Sequence, residues 1–598
     1  MPSTSNNPVT KTHLRPLVER IVLSGSRRRR HQTIRSLYLA ILIGVAAIGV
    51  LITTSLGGRI SLRALAAAGG GVFEVVAMVE VAAICLVTPI FMAGAIEQES
   101  SPRTWDLLLA TPLSSMGMVL GNLIGRIFFV LSLVVAALPI LLILQIFGGV
   151  SPRAVLISAG IAACTAIVVG AAAVMLSATR TGGRRAVLAF YAGVIIVLMA
   201  TWALDAVWQA PLAGSLNATT TTWTTPLNPF LTLNAVLRPA EYVAAPQLYA
   251  PGFTRFWLGH PVAAFAAASG IATVLMLAWS VLRVRMLGPI LGRTVGSDAS
   301  PRSHRPVGRN PIAWRASSGR PASWVERTAR WGWAGAGVTG GIVLLALIGG
   351  GLMSSSSGQL VLAAVLIVEI TLVALAATAI AGAAVTRERE QGTLDLVLTT
   401  PIGPAAYLKG KLLGIVRSMF PLLLPPMLTV VATAVVLIVS QGAGPFVAAS
   451  DGEPAAQPLA AWGGLLGIGL SLIPFTAFCV AVGLHWSLRV RRSVSAVLIA
   501  TVLCVAVAGI IGMCALPLGS GIPMAGAVAL SVCPITAVMV TVHDTQMLPV
   551  IDLTHYQLQW LLLIGGLISG LIWAGLTHII LRTTVRSFIV TMRRLAGT

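Results

Sequence analysis

Two acidic side chains stand where lipid should be. Glu80 and Glu369 each lie inside a long apolar run, and their numbers differ by a constant offset of 289. Each is about eight residues from the outer end of its span, roughly 12 Å deep at 1.5 Å per residue. A carboxyl at that depth is costly and by default marks a cavity, a partner helix or an ion path. The blander alternative is a neutral carboxyl hydrogen-bonded between helices, or a shallower one in a tilted span. Glu74 is nearer the outer edge, where water is expected to reach it.

The same offset relates two charged segments. Glu99, Thr104, Asp106, Thr111 and Pro112 fall on Glu388, Thr393, Asp395, Thr400 and Pro401, and Gly121, Leu123 and Gly125 fall on Gly410, Leu412 and Gly414. Each segment follows one apolar run and precedes another. Pro102 with Arg103, or Gln391 with Gly392, should break the incoming helix. Thr104 or Thr393 can then cap a new helix by accepting a backbone N–H. Asp106 or Asp395 sits in its first turn, where negative charge suits the dipole. Thr111-Pro112 or Thr400-Pro401 ends it, because a residue before proline disfavours the helical region. The chemistry implied is docking: a stiff helix of about two turns, greasy on one side, that passes a push from a soluble partner into the spans on either side.

Catalytic patterns are missing. Lys411 follows Gly410, but Ala405 and Leu412 occupy positions that a phosphate-cradling GxxxxGK[ST] loop would need. The chain is therefore expected not to hydrolyse ATP and not to be an enzyme, and to hold no cofactor or metal itself. The six cysteines lie in or beside apolar runs without a CxxC pair, and the eight histidines show no ligand spacing.

The elements that must position these residues are set by composition. Of the 598 residues 56% are hydrophobic and 10% charged, with a mean hydropathy of +0.91. Lipid is then the main solvent, and backbone groups must pair within their own segment. Runs rich in Ala, Leu, Val and Gly make that a set of helices and not a barrel. At roughly 20 apolar residues per crossing, about twelve spans are expected. They lie near 37–55, 72–97, 118–147, 154–178, 186–208 and 259–283, then near 333–353, 359–386, 411–440, 459–484, 494–517 and 559–582. The first follows a polar leader, in the manner of a retained signal-anchor.

The formal charge of +22 reads as topology and lipid headgroups, with no nucleic acid involved. Arginines cluster at Arg27 to Arg30, Arg184 with Arg185, Arg491 with Arg492, Arg593 with Arg594, and throughout the middle linker. With twelve spans all fall on one face, which the positive-inside rule makes cytoplasmic together with both termini. The domains expected are a leader with an interfacial helix (1–36), a six-span half (37–283), a basic linker with an interfacial helix (284–332), a second six-span half (333–582) and a basic tail (583–598). Both halves start on the same side, so the fold class is an all-α polytopic membrane protein of two parallel six-helix repeats. Asn228-Pro229 in the first half also matches Cys533-Pro534 in the second.

Arg387, Glu388, Gly392, Thr393, Leu394, Asp395, Leu396, Leu398, Thr399, Pro401 and Ile402, followed by Lys409, Gly410, Lys411, Leu412 and Leu413, resemble the signature of type 2 ABC transporter permeases. The first copy departs from it: Pro102-Arg103 replaces Gln391-Gly392 and Asn122 replaces Lys411. The run from Asn310 to Arg315 is also similar to permeases of this family just ahead of their first span. The resemblance implies an interfacial helix before each half, a coupling helix between the second and third spans, and short re-entrant helices within 209–258 and 518–558. It further implies an ATP-driven exporter in the cell membrane, with two copies of a separate ATPase subunit binding the ATP. Two other classes compete: an ion-coupled secondary transporter using Glu80 and Glu369, and a non-transporting scaffold for a cytoplasmic complex. Nothing in the residues identifies a substrate.

Overall fold

The computed structural model describes residues 29–55, 62–92, 115–147, 149–177, 219–238, 242–243, 252–287, 310–317, 324–349, 355–390, 392–440, 447–448, 457–490, 523–542 and 555–596, with parts of 193–208 and 496–511. The chain divides into two compact units, Met1–Arg302 and Ser303–Thr598. Among the described residues the fold is all-helical apart from two minimal ladders: β1 (Thr219–Thr220) runs parallel to β2 (Tyr242–Val243), and β3 (Val447–Ala448) antiparallel to β4 (Gln457–Pro458).

The first unit contains α1 (Arg29–Ser55), α2 (Leu62–Met92), α3 (Ser115–Leu144), α4 (Pro152–Ser177), the short α5 (Pro229–Leu237) and α6 (Gly252–Gly259), and α7 (Pro261–Leu287). Helices α2, α3 and α4 pack on one another, and α7 lies along α4. The second unit contains α8 (Pro311–Ser317), α9 (Trp324–Gly349), α10 (Ser355–Gly382), α11 (Ala384–Glu390), α12 (Thr393–Leu398), α13 (Pro404–Ser418), α14 (Phe420–Ser440), α15 (Trp462–Arg489), α16 (Pro523–Ser531), α17 (Pro534–Val542) and α18 (His555–Ala596).

In this unit α15 lies between α18 and α10, and α9 packs on α14. The α15–α18 seam is backbone against backbone. A Cβ on Gly566 would stand 2.2 Å from Gly467 Cα, and one on Gly463 2.0 Å from the Gln559 carbonyl oxygen. Close approach through small residues is how helices associate where lipid removes the hydrophobic drive.

Among the described residues eight helices are long and apolar enough to cross a membrane: Gly69–Thr88, Val119–Leu144, Pro152–Leu176, Pro261–Arg283, Val361–Arg389, Phe420–Ser440, Trp462–Arg489 and Gln557–Phe588. They make the chain a helical membrane protein. The runs near 37–55, 333–353 and 494–517 contain shorter apolar helices, Arg35–Ala47, Trp333–Gly349 and Ile499–Gly509. The run at 186–208 is described only in part.

Two expected boundaries change. The run at 411–440 is not one helix, because α13 ends at Ser418, Met419 caps it, and α14 begins at Phe420. Pro421 has no N–H to continue the ladder, and its ring restricts the residue before it. At the end of the chain the helix does not stop at 582 but runs on to Ala596.

The short helices follow from paired turn residues. Asn228 caps α5 by accepting the Phe230 N–H (2.9 Å), with Pro229 in the first helical position, where a missing N–H costs nothing. Its amide also donates to the Leu198 carbonyl (2.8 Å) and Thr201 Oγ1 (2.9 Å). In the second unit Pro534 opens α17 in the same way. The α16–α17 turn is held by α18: the Val532 carbonyl accepts from Ser569 Oγ (2.6 Å) and Trp573 Nε1 (2.7 Å).

Candidate functional site

The second charged segment is a braced lever. Helix α10 passes through a one-residue turn at Ala383 into α11, and α11 stops before Gly392. Gly392 has φ +69°, a left-handed conformation that favours glycine. The chain there turns back over the end of α11 and starts α12. Thr393 is the first residue of α12, and its hydroxyl donates to the Glu388 carbonyl oxygen (3.2 Å). The expected role of Thr393 as an acceptor of a backbone N–H is thus corrected. The turn brings its hydroxyl to one of the last carbonyls of α11, which a helix end leaves open.

Asp395 lies in α12. Leu394 is buried, whereas Leu396 is 69% exposed, so the leucine-rich stretch does not turn its whole face inward. Thr399, Thr400 and Pro401 are exposed beyond the helix.

Glu388 points into the fold. Its Oε2 accepts from the Tyr407 hydroxyl (2.5 Å) and pairs with Lys411 Nζ (2.9 Å). Lys411 also donates to the Ala384 carbonyl (2.9 Å) and lies over the Tyr407 ring, 5.5 Å from its centroid. Both partners are buried on α13 and lie one turn apart, so they share a face. Read alone, Glu388 belonged to a docking surface. In place it is a positioning residue that ties α11 to α13. Burial pushes the Tyr407 phenol well above the usual tyrosine range, the Glu388 carboxylate reinforces the shift, and Arg315 opposes it.

One further element grips the lever directly, and two more hold α13 beneath it. Ser487 Oγ on α15 accepts the N–H groups of Val385 and Thr386, both at 3.0 Å. The Arg389 guanidinium donates to the Leu488 carbonyl (3.5 Å) and to the Val490 carbonyl. The Tyr407 ring meets Phe588 of α18 edge-on, with centroids 6.0 Å apart. On the far side of α13 lies α8, where Asn310 Oδ1 accepts the Ala313 N–H (3.0 Å). A Cβ on Gly414 would stand 2.6 Å from the Ala313 carbonyl oxygen, so α8 and α13 touch through backbone.

No protein-family model matches the chain, and no curated protein does. The site therefore rests on its geometry and on the internal repeat.

In the first half, Glu99, Thr104, Asp106, Thr111 and Pro112 lie outside the described residues. The helix that follows is described: Gly121, Leu123 and Gly125 are buried on α3, as their counterparts Gly410 and Gly414 are on α13. Sequence reasoning missed Tyr407, Arg389 and Ser487 as site residues. A signal for the first existed, since Tyr407 stands four residues before Lys411 and the offset replaces the pair with Met118 and Asn122.

The two intramembrane glutamates are both buried, Glu80 at 1% and Glu369 at 3% exposure. Each stands near the midpoint of its helix, α2 or α10. Glu80 Oε1 and both Glu369 carboxyl oxygens have no hydrogen-bond partner. Glu74 is partly exposed and forms an ion pair. The Arg238 guanidinium binds both its oxygens, Nε to Oε2 at 2.9 Å and the terminal nitrogen to Oε1 at 2.8 Å.

Proposed function

We propose that this chain is the membrane-spanning subunit of an ATP-driven transporter, a type 2 ABC permease with both halves fused. In this reading about twelve spans form two parallel six-helix repeats in the cell membrane, with both termini in the cytoplasm. Separate ATPase subunits, two copies, dock at 97–113 and 386–402 and bind the ATP. Their closure rocks the spans and moves an unidentified substrate outward. The chain supplies no catalytic residue and meets lipid, not nucleic acid.

One observation carries the proposal. The loop between α10 and α13 presents an exposed tip, Leu396 with Thr399 to Pro401, on a base anchored to α13, α15 and α18. A flexible loop would absorb a push at its tip. A base fixed through Glu388, Arg389 and two backbone N–H groups passes the push into three helices. Paired buried charges and satisfied backbone groups give that base its stiffness.

The test begins with co-purification of a Walker-motif ATPase with the full chain. Stimulation of ATP hydrolysis by the chain is then measured with Glu388→Ala plus Thr393→Pro, and with Glu99→Ala plus Thr104→Pro. The first pair should cost more stimulation than the second. Failure of any ATPase to bind would sink the docking reading.

A second reading, an ion-coupled secondary transporter, is favoured by the buried, unpartnered carboxyls of Glu80 and Glu369. It predicts transport that a protonophore abolishes and that needs no ATPase.

A further inference from the structure

We propose that Glu369 and Glu80 are acceptor sites for a small monovalent cation, a proton or an alkali-metal ion, one in each compact unit. The better-defined site lies where α9, α10 and α14 meet. A Cβ on Gly337 of α9 would stand 3.0 Å from Glu369 Oε1 and 2.5 Å from Pro425 Cβ of α14. One turn further along, a Cβ on Gly341 would stand 2.9 Å from Thr429 Oγ1. Bare backbone on α9 thus leaves room for a carboxyl and a hydroxyl on one seam. Glu369 Oε1 and Oε2, Thr429 Oγ1, and Trp333 Nε1 one turn before Gly337 are all buried without a hydrogen-bond partner.

Leaving such an atom unpaired is costly, and a charged one more so. The seam gathers a carboxyl, a hydroxyl and an indole N–H, yet none of these atoms is set in hydrogen-bonding geometry with another. A bound proton would turn the carboxyl into a donor toward Thr429. An alkali ion would take carboxylate and hydroxyl oxygens together. Either provides the missing partner.

Among the described residues the surroundings contain no protein cation that does so. Helices α14 and α17 carry no titratable side chain, and the described side chains of α9 carry none. On α15 the thiol of Cys479 is buried. Tyr407, Lys411, His485 and Arg489 belong to the end of α10 that leads into α11, where Lys411 is taken by Glu388. Lys409 and Arg417 of α13 are exposed.

Glu80 is the counterpart of Glu369 at the same offset, without the glycine and threonine of the second site. Tyr38 of α1 lies within its electrostatic reach, and the Tyr38 hydroxyl also lacks a hydrogen-bond partner. Of the other groups on helices packed against α2, Arg126 of α3 has partners of its own, and Arg238 beyond α5 is held by Glu74. Arg153 and Cys164 lie on α4.

Infrared difference spectroscopy on the full chain in lipid nanodiscs reads the carboxyls directly and needs no ATPase. A negative result therefore leaves the docking proposal standing, and the reverse also holds. The expected signal is a carboxylic-acid carbonyl stretch that disappears as pH rises, or a carboxylate stretch that shifts when sodium replaces choline at fixed pH. The first identifies a proton and the second an alkali ion. Glu80→Gln and Glu369→Gln should each remove part of the signal, and the double variant all of it. Thr429→Val should disturb only the part lost in Glu369→Gln. Bands indifferent to both pH and sodium, or a signal surviving in the double variant, overturn the proposal.

Discussion

The two halves carry the same charged segment, but the residues that brace it in the second half are not repeated in the first. Tyr407 and Lys411 meet Glu388, and at the same offset the sequence of the first half has Met118 and Asn122. The helix that follows also differs. Pro421 separates α13 from α14, whereas Ser132 occupies the equivalent place in α3, which is continuous from Ser115 to Leu144. In the second half the brace therefore sits on a short helix detached from the membrane span. A push arriving at α12 reaches α13 through an ion pair and a phenol, and α15 through two backbone N–H groups. The comparison teaches that a duplicated lever need not be a duplicated machine.

The sharpest way to break this comparison is Lys411→Met. It leaves the Glu388 carboxylate without its cation, and removing one partner of a buried pair costs about 3–5 kcal/mol. The 17% exposure of the Glu388 side chain brings the expected loss toward the low end. Thermal melting of the purified chain should report it, together with lost ATPase stimulation. The complementary transplant, Met118→Tyr with Asn122→Lys, should raise the contribution of the first segment. No gain in stimulation would argue that these two positions do not set the asymmetry.

Next in size is Ser487→Ala, which strips the acceptor from two buried N–H groups and should cost about 1–3 kcal/mol. Ser177, ahead of Arg180 and Arg184-Arg185, matches Ser487 ahead of Arg489 and Arg491-Arg492, so Ser177→Ala sharpens the contrast: an equal loss there would mean that both segments use this brace. Gly392→Val should follow at about 1–2 kcal/mol, since a side chain penalises the left-handed region, and coupling should fall with it. The first half has Arg103 at this place.

The smallest effect belongs to Tyr407→Phe, about 1 kcal/mol for a lost hydrogen bond. It should also change the alkaline limb of stability. The folded phenol holds its proton above the usual tyrosine pKa of about 10, whereas the unfolded one does not. Above that pH the native state binds more protons than the unfolded state, so the Tyr407 contribution is full below it and declines as pH rises. The Phe variant should lose that part of the decline in an alkaline unfolding series.

Much of the fold was legible because its signals are local. Apolar run length gave the membrane helices, and the constant offset exposed the doubled segment. The paired Asn228-Pro229 and Cys533-Pro534 marked the starts of α5 and α17. The helix break before Pro421 was also written in the chain, but the hydropathy around it hid the break. The direction of Glu388 was not legible, because a carboxylate in a turn reads the same whether it faces water or a lysine.

The linear chain by itself determined the solvent, the helical class and the positions where charge enters lipid. Those follow from composition and from backbone pairing, which each segment satisfies alone. Only the tertiary structure decided which groups meet. Glu388 became an internal tie because α11 and α13 converge on it, and Glu369 stayed without a partner because Gly337 and Gly341 bring α9 against α14 there. Contacts of that kind depend on how helices cross, and no single segment encodes a crossing.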